Sequence, residues 1–123
     1  MIAAVGTLLI LSTNQATAAG EFPSKPVRLV SPFAPGTNGE QLARLMAPKL
    51  EALWKVPVLV ENRPGASGTI GAEHVARSAP DGHTILVGSL GTQMAKLTAA
   101  ELRFDPQVDL VPVTKYADTR CSS

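Results

Sequence analysis

Two patterns of apolar and polar residues alternate along residues 24–114. One is a short run rich in β-branched residues, and the other is a longer stretch with apolar residues at helical spacing. Four runs have the length of a strand, and the three stretches between them repeat apolar residues every three or four positions. The order β-α-β-α-β-α-β predicts an α/β fold in which helices flank a parallel sheet. The predicted strands are Val27–Ser31, Val56–Glu61, His83–Gly88 and Leu110–Thr114, and the predicted helices are Glu40–Trp54, Thr69–Ser78 and Gln93–Leu102.

The first helix and the third strand each carry a further prediction. Pro48 lies inside the helix and removes the hydrogen bond to the carbonyl of Arg44, so we expect a kink there. The third strand contains three consecutive apolar residues, Ile85–Val87, without polar alternation. Such a run is typical of a strand that is buried on both faces.

The first twenty residues form a different kind of segment, because they contain no charge. Ile2–Leu11 is an apolar run too short to span a bilayer, and small residues follow at the positions that a signal peptidase inspects. The pattern predicts a secretory signal peptide over residues 1–19, with cleavage near Ala18 or Ala19. A buried N-terminal helix is the alternative interpretation. No Lys or Arg precedes the apolar run, which leaves open a start upstream of Met1.

Length and composition narrow the class of protein. The 123 residues suffice for one domain or for a part of a larger one. Eleven Lys and Arg against ten Asp and Glu give a net charge of +1 without a basic patch, so we expect no nucleic-acid partner. The single cysteine, Cys121, excludes an intrachain disulfide and a multi-cysteine metal site. No metal and no cofactor are predicted.

Three loops are expected to meet at the carboxyl edge of the predicted sheet, where open parallel sheets bind their ligands. They are Pro32–Gly39, Asn62–Gly68 and Gly88–Thr92, and each is rich in Gly and hydroxyl residues and opens a helix. Helix N-termini present unpaired N–H groups, so the three loops together suit a small anion. Because the loops carry one cation, Arg63, a mono- or dicarboxylate fits better than a phosphate. Taken alone, each loop is equally explained as a tight strand-to-helix turn.

Enzyme motifs in the sequence are incomplete. The glycines of Gly65–Gly71 match neither the dinucleotide-binding fingerprint nor a phosphate loop. Val87–Gly91 resembles the nucleophile elbow G-x-S-x-G, with Ser89 as the nucleophile, but Val87 replaces the first glycine. No histidine follows Ser89, although that order of residues requires one. No catalytic residue is therefore predicted, and an α/β hydrolase-like fragment that uses Ser89 stays as the alternative.

The remaining residues with reactive side chains give no site either. His74 and His83 are interpreted as surface or edge residues, and His83 is expected at the end of its strand opposite the three loops. Cys121 has no partner base in the sequence around it, so a catalytic thiol is not predicted.

Five segments, in order, resemble the solute-binding receptors of tripartite tricarboxylate transporters, the Bug-type or TctC-type periplasmic proteins. The resemblance implies a two-lobed periplasmic binding fold that closes on a small carboxylate and delivers it to the membrane permease subunits of the transporter. The segments are Pro23–Val30, Pro32–Gly36, Val60–Gly68, Ala79–Thr84 and Phe104–Pro106. The residues that it implies face the ligand are Phe33, Ala34, Pro35, Gly36, Thr37, Asn38, Ser89, Gly91 and Thr92.

The sequence departs from the family pattern in places. Thr37 stands where a second glycine is usual, Glu40 where an Asp is usual, and Gln93 where a His is usual, which bears on ligand specificity. The resemblance ends near Thr114. We therefore expect residues 20–114 to form the first part of an N-terminal lobe, and residues 115–123 to be a divergent tail produced by truncation or a frameshift.

The leading interpretation is a periplasmic receptor, not an enzyme, that binds a small mono-, di- or tricarboxylate. Two alternatives stay open, namely the hydrolase-like fragment with Ser89 as nucleophile and an inactive pseudogene product.

Overall fold

The structure, a computed structural model, describes residues 20–98 and 101–116. The predicted signal peptide, residues 1–19, lies outside the described residues, and so do Cys121 and the predicted tail from residue 117 onwards. Within the described ranges, no helix has the length and apolar character needed to cross a membrane.

Three parallel strands form one sheet in the order β2-β1-β3. Strand β1 spans Val27–Ser31, β2 spans Val58–Asn62 and β3 spans Thr84–Leu86. β1 pairs with β2 along its whole length and with β3 from Arg28 to Val30. The predicted class, an α/β fold with a parallel sheet flanked by helices, is confirmed.

Helix α1, Asn38–Trp54, covers one face of this sheet, and α2, Thr69–Ala76, contacts β1 and β3. Alternate residues of β1 face α1, and small alanines let the helix approach the sheet closely. On the other face Val30 is fully buried, as is Ala72 of α2. The buried core cluster under α1 consists of Val27, Leu29, Ala43, Ala47, Val58 and Val87.

The third predicted helix, Gln93–Leu102, is wrong in its bounds. Two short helices stand there, α3 at Leu90–Gln93 and α4 at Ala95–Thr98. The first begins early because Ser89 caps it, and Ser89 and Thr92 form a reciprocal capping box. Residues 101–116, which include the end of the predicted helix, contain no helix.

The fourth predicted strand, Leu110–Thr114, is wrong, because this segment has no regular secondary structure. Val111 and Val113 are 82% and 81% exposed, so no neighbouring strand or helix covers the apolar side chains that suggested a strand. Pro112 also removes one backbone donor that a sheet would use.

Strand β3 is shorter and less buried than predicted. Its three residues, Thr84–Leu86, are only partly buried, whereas the sequence predicted burial on both faces. The reason is that β3 pairs with β1 alone among the described strands and so lies at an edge. Helix α1 runs through Pro48 without interruption, and the kink expected there stays a prediction.

His83 lies at the amino end of β3, opposite the predicted loops, but it is buried rather than on the surface. Its Nε2 accepts a hydrogen bond of 3.3 Å from the Ser24 N–H, and its Nδ1 lies 3.0 Å from the Asp81 carbonyl oxygen. These contacts fit a ring in which Nδ1 is the donor and Nε2 the acceptor. The hydrogen bond from Lys25 is the main cause that lowers the pKa of Asp81 to about 2, and the His83 N–H adds to it. The histidine therefore anchors the chain before β1.

Candidate functional site

The three predicted loops meet at the carboxyl edge of the sheet. The Arg63 N–H donates to the Ser31 carbonyl over 2.8 Å, which joins the second loop to the end of β1. The Asn62 side-chain amide donates to the Phe33 carbonyl over 3.3 Å, which joins it to the first loop. The parallel sheet thus brings together loops that are about thirty residues apart in sequence.

Glycines permit the closest approach between these loops. A Cβ on Gly71 would stand 3.0 Å from the Arg63 carbonyl oxygen and 3.1 Å from the Pro32 Cβ. A Cβ on Gly68 would stand 3.3 Å from the Pro32 Cβ and 3.4 Å from the Thr92 Oγ1. Pro32 of the first loop therefore lies close to both Gly68 and Gly71. Gly68 also lies close to Thr92, which belongs to the third loop.

The N-terminus of α1 presents open backbone donors at this edge. The N-cap residue, Thr37, does not cap the helix, because its hydroxyl donates to the Ala34 carbonyl over 2.8 Å instead. The first intrahelical acceptor is the Thr37 carbonyl, which the Gln41 N–H uses over 2.9 Å. The N–H groups of residues 38–40 precede that bond and have no acceptor within the helix. Together with the positive end of the helix dipole, such donors have the chemistry that favours an anion.

Ser31 is a buried polar residue beside this helix end that the sequence analysis did not single out. It is fully buried, and its Oγ has no hydrogen-bond partner among the described protein atoms. Ser31 follows Val27 and Leu29 on the face of β1 that α1 covers, and α1 runs back along β1 from this end. A buried hydroxyl without a partner is rare in proteins. Its place in the sequence, a polar residue that ends an apolar strand, is the signal that could have found it.

Most residues predicted to face the ligand lie exposed along the edge. Phe33 is partly buried, and its ring packs so close to Gly39 that a Cβ there would lie 2.5 Å from the ring. Thr92 is the exception, because it is 2% exposed and its hydroxyl lies 3.5 Å from the Ser89 Oγ. The predicted residues that the structure leaves exposed are Ala34, Pro35, Gly36, Thr37, Asn38, Ser89 and Gly91.

The structure offers Ser89 no partner that would make it a nucleophile. Its hydroxyl contacts the Thr92 hydroxyl, and no hydrogen bond joins it to a histidine of the described chain. His83 lies at the opposite edge of the sheet. Ser89 therefore serves as the cap of α3.

The cations near the site are paired with carboxylates. The Nε of Arg63, the cation of the second loop, lies 2.6 Å from the Glu61 Oε1. Arg44, one turn into α1, forms an ion pair with Glu40. Because both arginine charges are compensated by carboxylates, the main source of positive potential at this edge is the set of backbone N–H groups at the start of α1.

Tyr116 connects the third loop to the end of the described chain. Its hydroxyl donates to the Gly88 carbonyl over 2.7 Å, and partial burial raises the pKa of the phenol. From the sequence, Tyr116 is expected to lie in the divergent tail, and no role is predicted for it. A lone Tyr in a polar segment has no local pattern that reveals such a contact.

A cavity of about 390 Å³ lies elsewhere, at the amino ends of the strands. Lys25, Arg28, Leu59 and Asp81 are among its lining residues, and none of the residues predicted to face the ligand lines it. Within residues 20–98 and 101–116, no group of three or more His, Cys, Asp or Glu side chains could hold a metal ion.

Comparison with protein families identifies the lineage of this chain. The family described as tripartite tricarboxylate transporter family receptor, TctC, matches residues 42–121, which is more than half of the chain. The chain belongs to this family. The resemblance stated from the sequence segments is confirmed.

Curated relatives agree with the TctC match over nearly the whole chain. BugT of Bordetella pertussis is 33% identical over 125 residues, covering 96% of this chain and 37% of that protein. A UPF0065 protein of Pseudomonas sp. strain P51 is 33% identical over 117 residues, covering 95% of this chain and 35% of that protein. The chain thus spans about a third of the length of the curated relatives it matches.

Solved structures of similar proteins are periplasmic binding proteins. MatC from Rhodopseudomonas palustris, with bound malate, is 40% identical with a TM-score of 0.67, covering 72% of this chain and 30% of that one. A second R. palustris protein, with adipate, is 38% identical with a TM-score of 0.52, covering 54% of this chain and 22% of that one. BugD is 45% identical with a TM-score of 0.50, covering 53% and 22%.

Proposed function

We propose that this chain forms part of a periplasmic receptor that binds a small carboxylate at the carboxyl edge of its sheet. The observation that carries the proposal is the N-terminus of α1, where the N–H groups of residues 38–40 lack an intrahelical acceptor beside the buried hydroxyl of Ser31. Carboxylates bound to similar structures, malate in MatC and adipate in the second R. palustris protein, support the ligand class.

The paired cations limit the charge of the ligand that this lobe receives. In the described part of the chain, Arg63 and Arg44 are each paired with a carboxylate, Glu61 and Glu40, so neither guanidinium is free to face a multiply charged anion. Backbone N–H groups and bridging waters bind a single carboxylate group well. A mono- or dicarboxylate with one end on this lobe therefore fits better than a tricarboxylate.

The rest of the proposal follows from the family. The receptor is exported through the leader at residues 1–19, closes a second lobe over its ligand, and delivers the ligand to the permease subunits of a tripartite transporter. The mass of the mature chain in a periplasmic extract tests the export step, and a cytoplasmic pool that begins only at Met1 contradicts it.

A chimera tests ligand binding, because the chain covers only part of the length of its relatives. The matched segment of MatC is replaced by the corresponding segment of this chain, and malate binding is measured by calorimetry. We expect the chimera to bind malate and the 123-residue chain to give no measurable heat, since these residues span only about a third of the length of the relatives.

The variant Gly91→Leu in the chimera tests the position of the site. Gly91 is exposed, and its nearest neighbour to a new Cβ is the Ser89 Oγ at 3.5 Å, an ordinary contact that the fold tolerates. We expect a loss of about tenfold or more in affinity, since the new side chain stands over the loops. The matched control is Gly20→Leu, in open space away from the loops. A chimera that prefers sugars or cations, or that ignores Gly91→Leu, contradicts the proposal.

A further inference from the structure

The first turn of α1 holds both backbone groups of Gly36 in the first loop. The Glu40 Oε2 accepts a hydrogen bond of 3.3 Å from the Gly36 N–H, and the Gln41 side-chain amide donates to the Gly36 carbonyl over 3.4 Å. Gly36 has φ +86°, a conformation that residues with a side chain rarely adopt. The side chains of two neighbouring helical residues thus hydrogen-bond to the backbone of one glycine that lies outside any helix or strand.

Glu40 is buried to an extent that is unusual for a carboxylate. It is 3% exposed, and its charge is compensated by Arg44 one turn further along the helix. An acidic residue that served only the helix dipole would lie in solvent, because burial of a charge is unfavourable unless the charge is paired and hydrogen-bonded. The burial of Glu40 therefore indicates a role for its second carboxylate oxygen, Oε2, which accepts the hydrogen bond from the first loop.

The contact differs from an ordinary capping box. Thr37 and Glu40 have the T-x-x-E spacing of that motif, in which the glutamate usually accepts the N–H of the N-cap residue. Here the Thr37 N–H donates to the Ala34 carbonyl over 3.3 Å, and the carboxylate reaches one residue further, to Gly36. The motif thus ties the helix to the tip of the loop and leaves the donors of residues 38–40 open.

We propose that Glu40 is a positioning residue of the carboxylate site, which fixes the first loop by occupying the Gly36 N–H. This inference rests on the proposed function for its consequence in binding. Glu40 takes one backbone donor out of the site and holds Arg44 in an ion pair, so two groups that could bind an anion are occupied. The side of the ligand that meets α1 then carries one carboxylate group and no second anion.

Hydrogen exchange of the Gly36 amide in the 123-residue chain tests the positioning role without any ligand. Glu40→Ala removes the acceptor, and we expect the amide to exchange about fivefold faster, the effect of one ordinary net hydrogen bond. Glu40→Gln keeps an oxygen acceptor and is expected to restore near-wild-type exchange. The controls are Glu51→Ala and Glu51→Gln, at an exposed position near the other end of the same helix. Wild-type exchange of Gly36 in Glu40→Ala overturns the proposal.

Malate affinity in the MatC chimera tests the consequence for binding. We expect Glu40→Ala to lower affinity about fivefold, and Glu40→Gln to bind at least as tightly as the parent, since it keeps the loop in place and frees Arg44 from its ion pair. A general loss of folding would weaken both variants alike, so equal losses in the two overturn the positioning role. If the parent chimera binds no carboxylate, the proposed function fails, while the exchange of Gly36 still decides the role of Glu40.

Discussion

Ser67 adopts a left-handed backbone conformation, with φ 56° and ψ 31°, in the second loop of the candidate site. Its three neighbours Gly65, Ala66 and Gly68 also have positive φ, at 128°, 45° and 89°. For a residue with a Cβ this conformation costs roughly 1–2 kcal/mol, and such residues cluster at functional sites. The run lets the loop turn tightly enough for Gly68 to contact Pro32 and the third loop.

Replacement of Ser67 by glycine is expected to stabilise the chain. Glycine removes the left-handed penalty but gains entropy in the unfolded state, so we expect a net increase of about 0.5–1 kcal/mol in the free energy of unfolding. Urea unfolding at one fixed protein concentration measures it. Ser67→Ala is the matched control, because it removes the same hydroxyl and keeps the strain. An equal gain in both variants contradicts the explanation.

Sequence reasoning at the residue scale succeeded where glycine and proline determine the backbone. It located the three loops, and the structure shows positive φ at two of their glycines, Gly36 and Gly68. It did not predict that Thr92 is buried, because the residue combines two compatible roles, cap partner of Ser89 and packing contact of Gly68. Nor did it predict Ser31 or Glu40, whose importance depends on where α1 lies over β1.

The bounds of a helix or strand could be predicted where neighbouring residues in the sequence determine them, and not where a distant pairing partner does. Strand β1 begins and ends as predicted, since Pro26 precedes it and Pro32 follows it. The predicted strand at Leu110–Thr114 depended on a pairing partner, which no local pattern supplies, and the segment stays irregular. Before this segment, Asp105 forms an ion pair with Lys96. That pair, together with the hydrogen bond from the Gln107 N–H, lowers the pKa of the Asp105 carboxyl.

Pro48 gives helix α1 an internal weakness that a single substitution can test. It is exposed and lies within the 17-residue helix, so the carbonyl of Arg44 loses its usual donor. Pro48→Ala restores that donor, and we expect the free energy of unfolding to rise by about 1–2 kcal/mol, after allowance for the greater freedom of the unfolded chain. Urea unfolding measures the gain.

The adjacent exposed residue supplies the control for Pro48. Lys49→Ala changes helix propensity little and is expected to stay within about 0.5 kcal/mol of the parent. If Pro48→Ala raises the free energy of unfolding no more than Lys49→Ala does, then α1 accommodates the proline by the predicted kink at no net loss of stability.

At the scale of the whole molecule, large apolar side chains remain exposed on several of the described elements. On α1, Leu45 and Leu53 are 66% and 72% exposed, and beside the third loop Leu90 and Leu97 are 71% and 77% exposed. Together with the exposed Val111 and Val113, these side chains form more apolar surface than isolated exposed residues would. In addition, β2 and β3 each pair with β1 alone among the described strands, which leaves both outer edges free.

We therefore expect the 123-residue chain to associate with itself when expressed alone. Light scattering coupled to size exclusion should give a mass that exceeds the 12.8 kDa of the monomer and rises with protein concentration. The double variant Leu90→Lys/Leu97→Lys should shift the distribution toward monomer, because it places charge on the exposed face of α3 and α4. Lys49→Ala, which changes no apolar surface, should leave the distribution as it is. A monodisperse monomer with a cooperative thermal transition would show that the uncovered side chains are compatible with an independently stable unit.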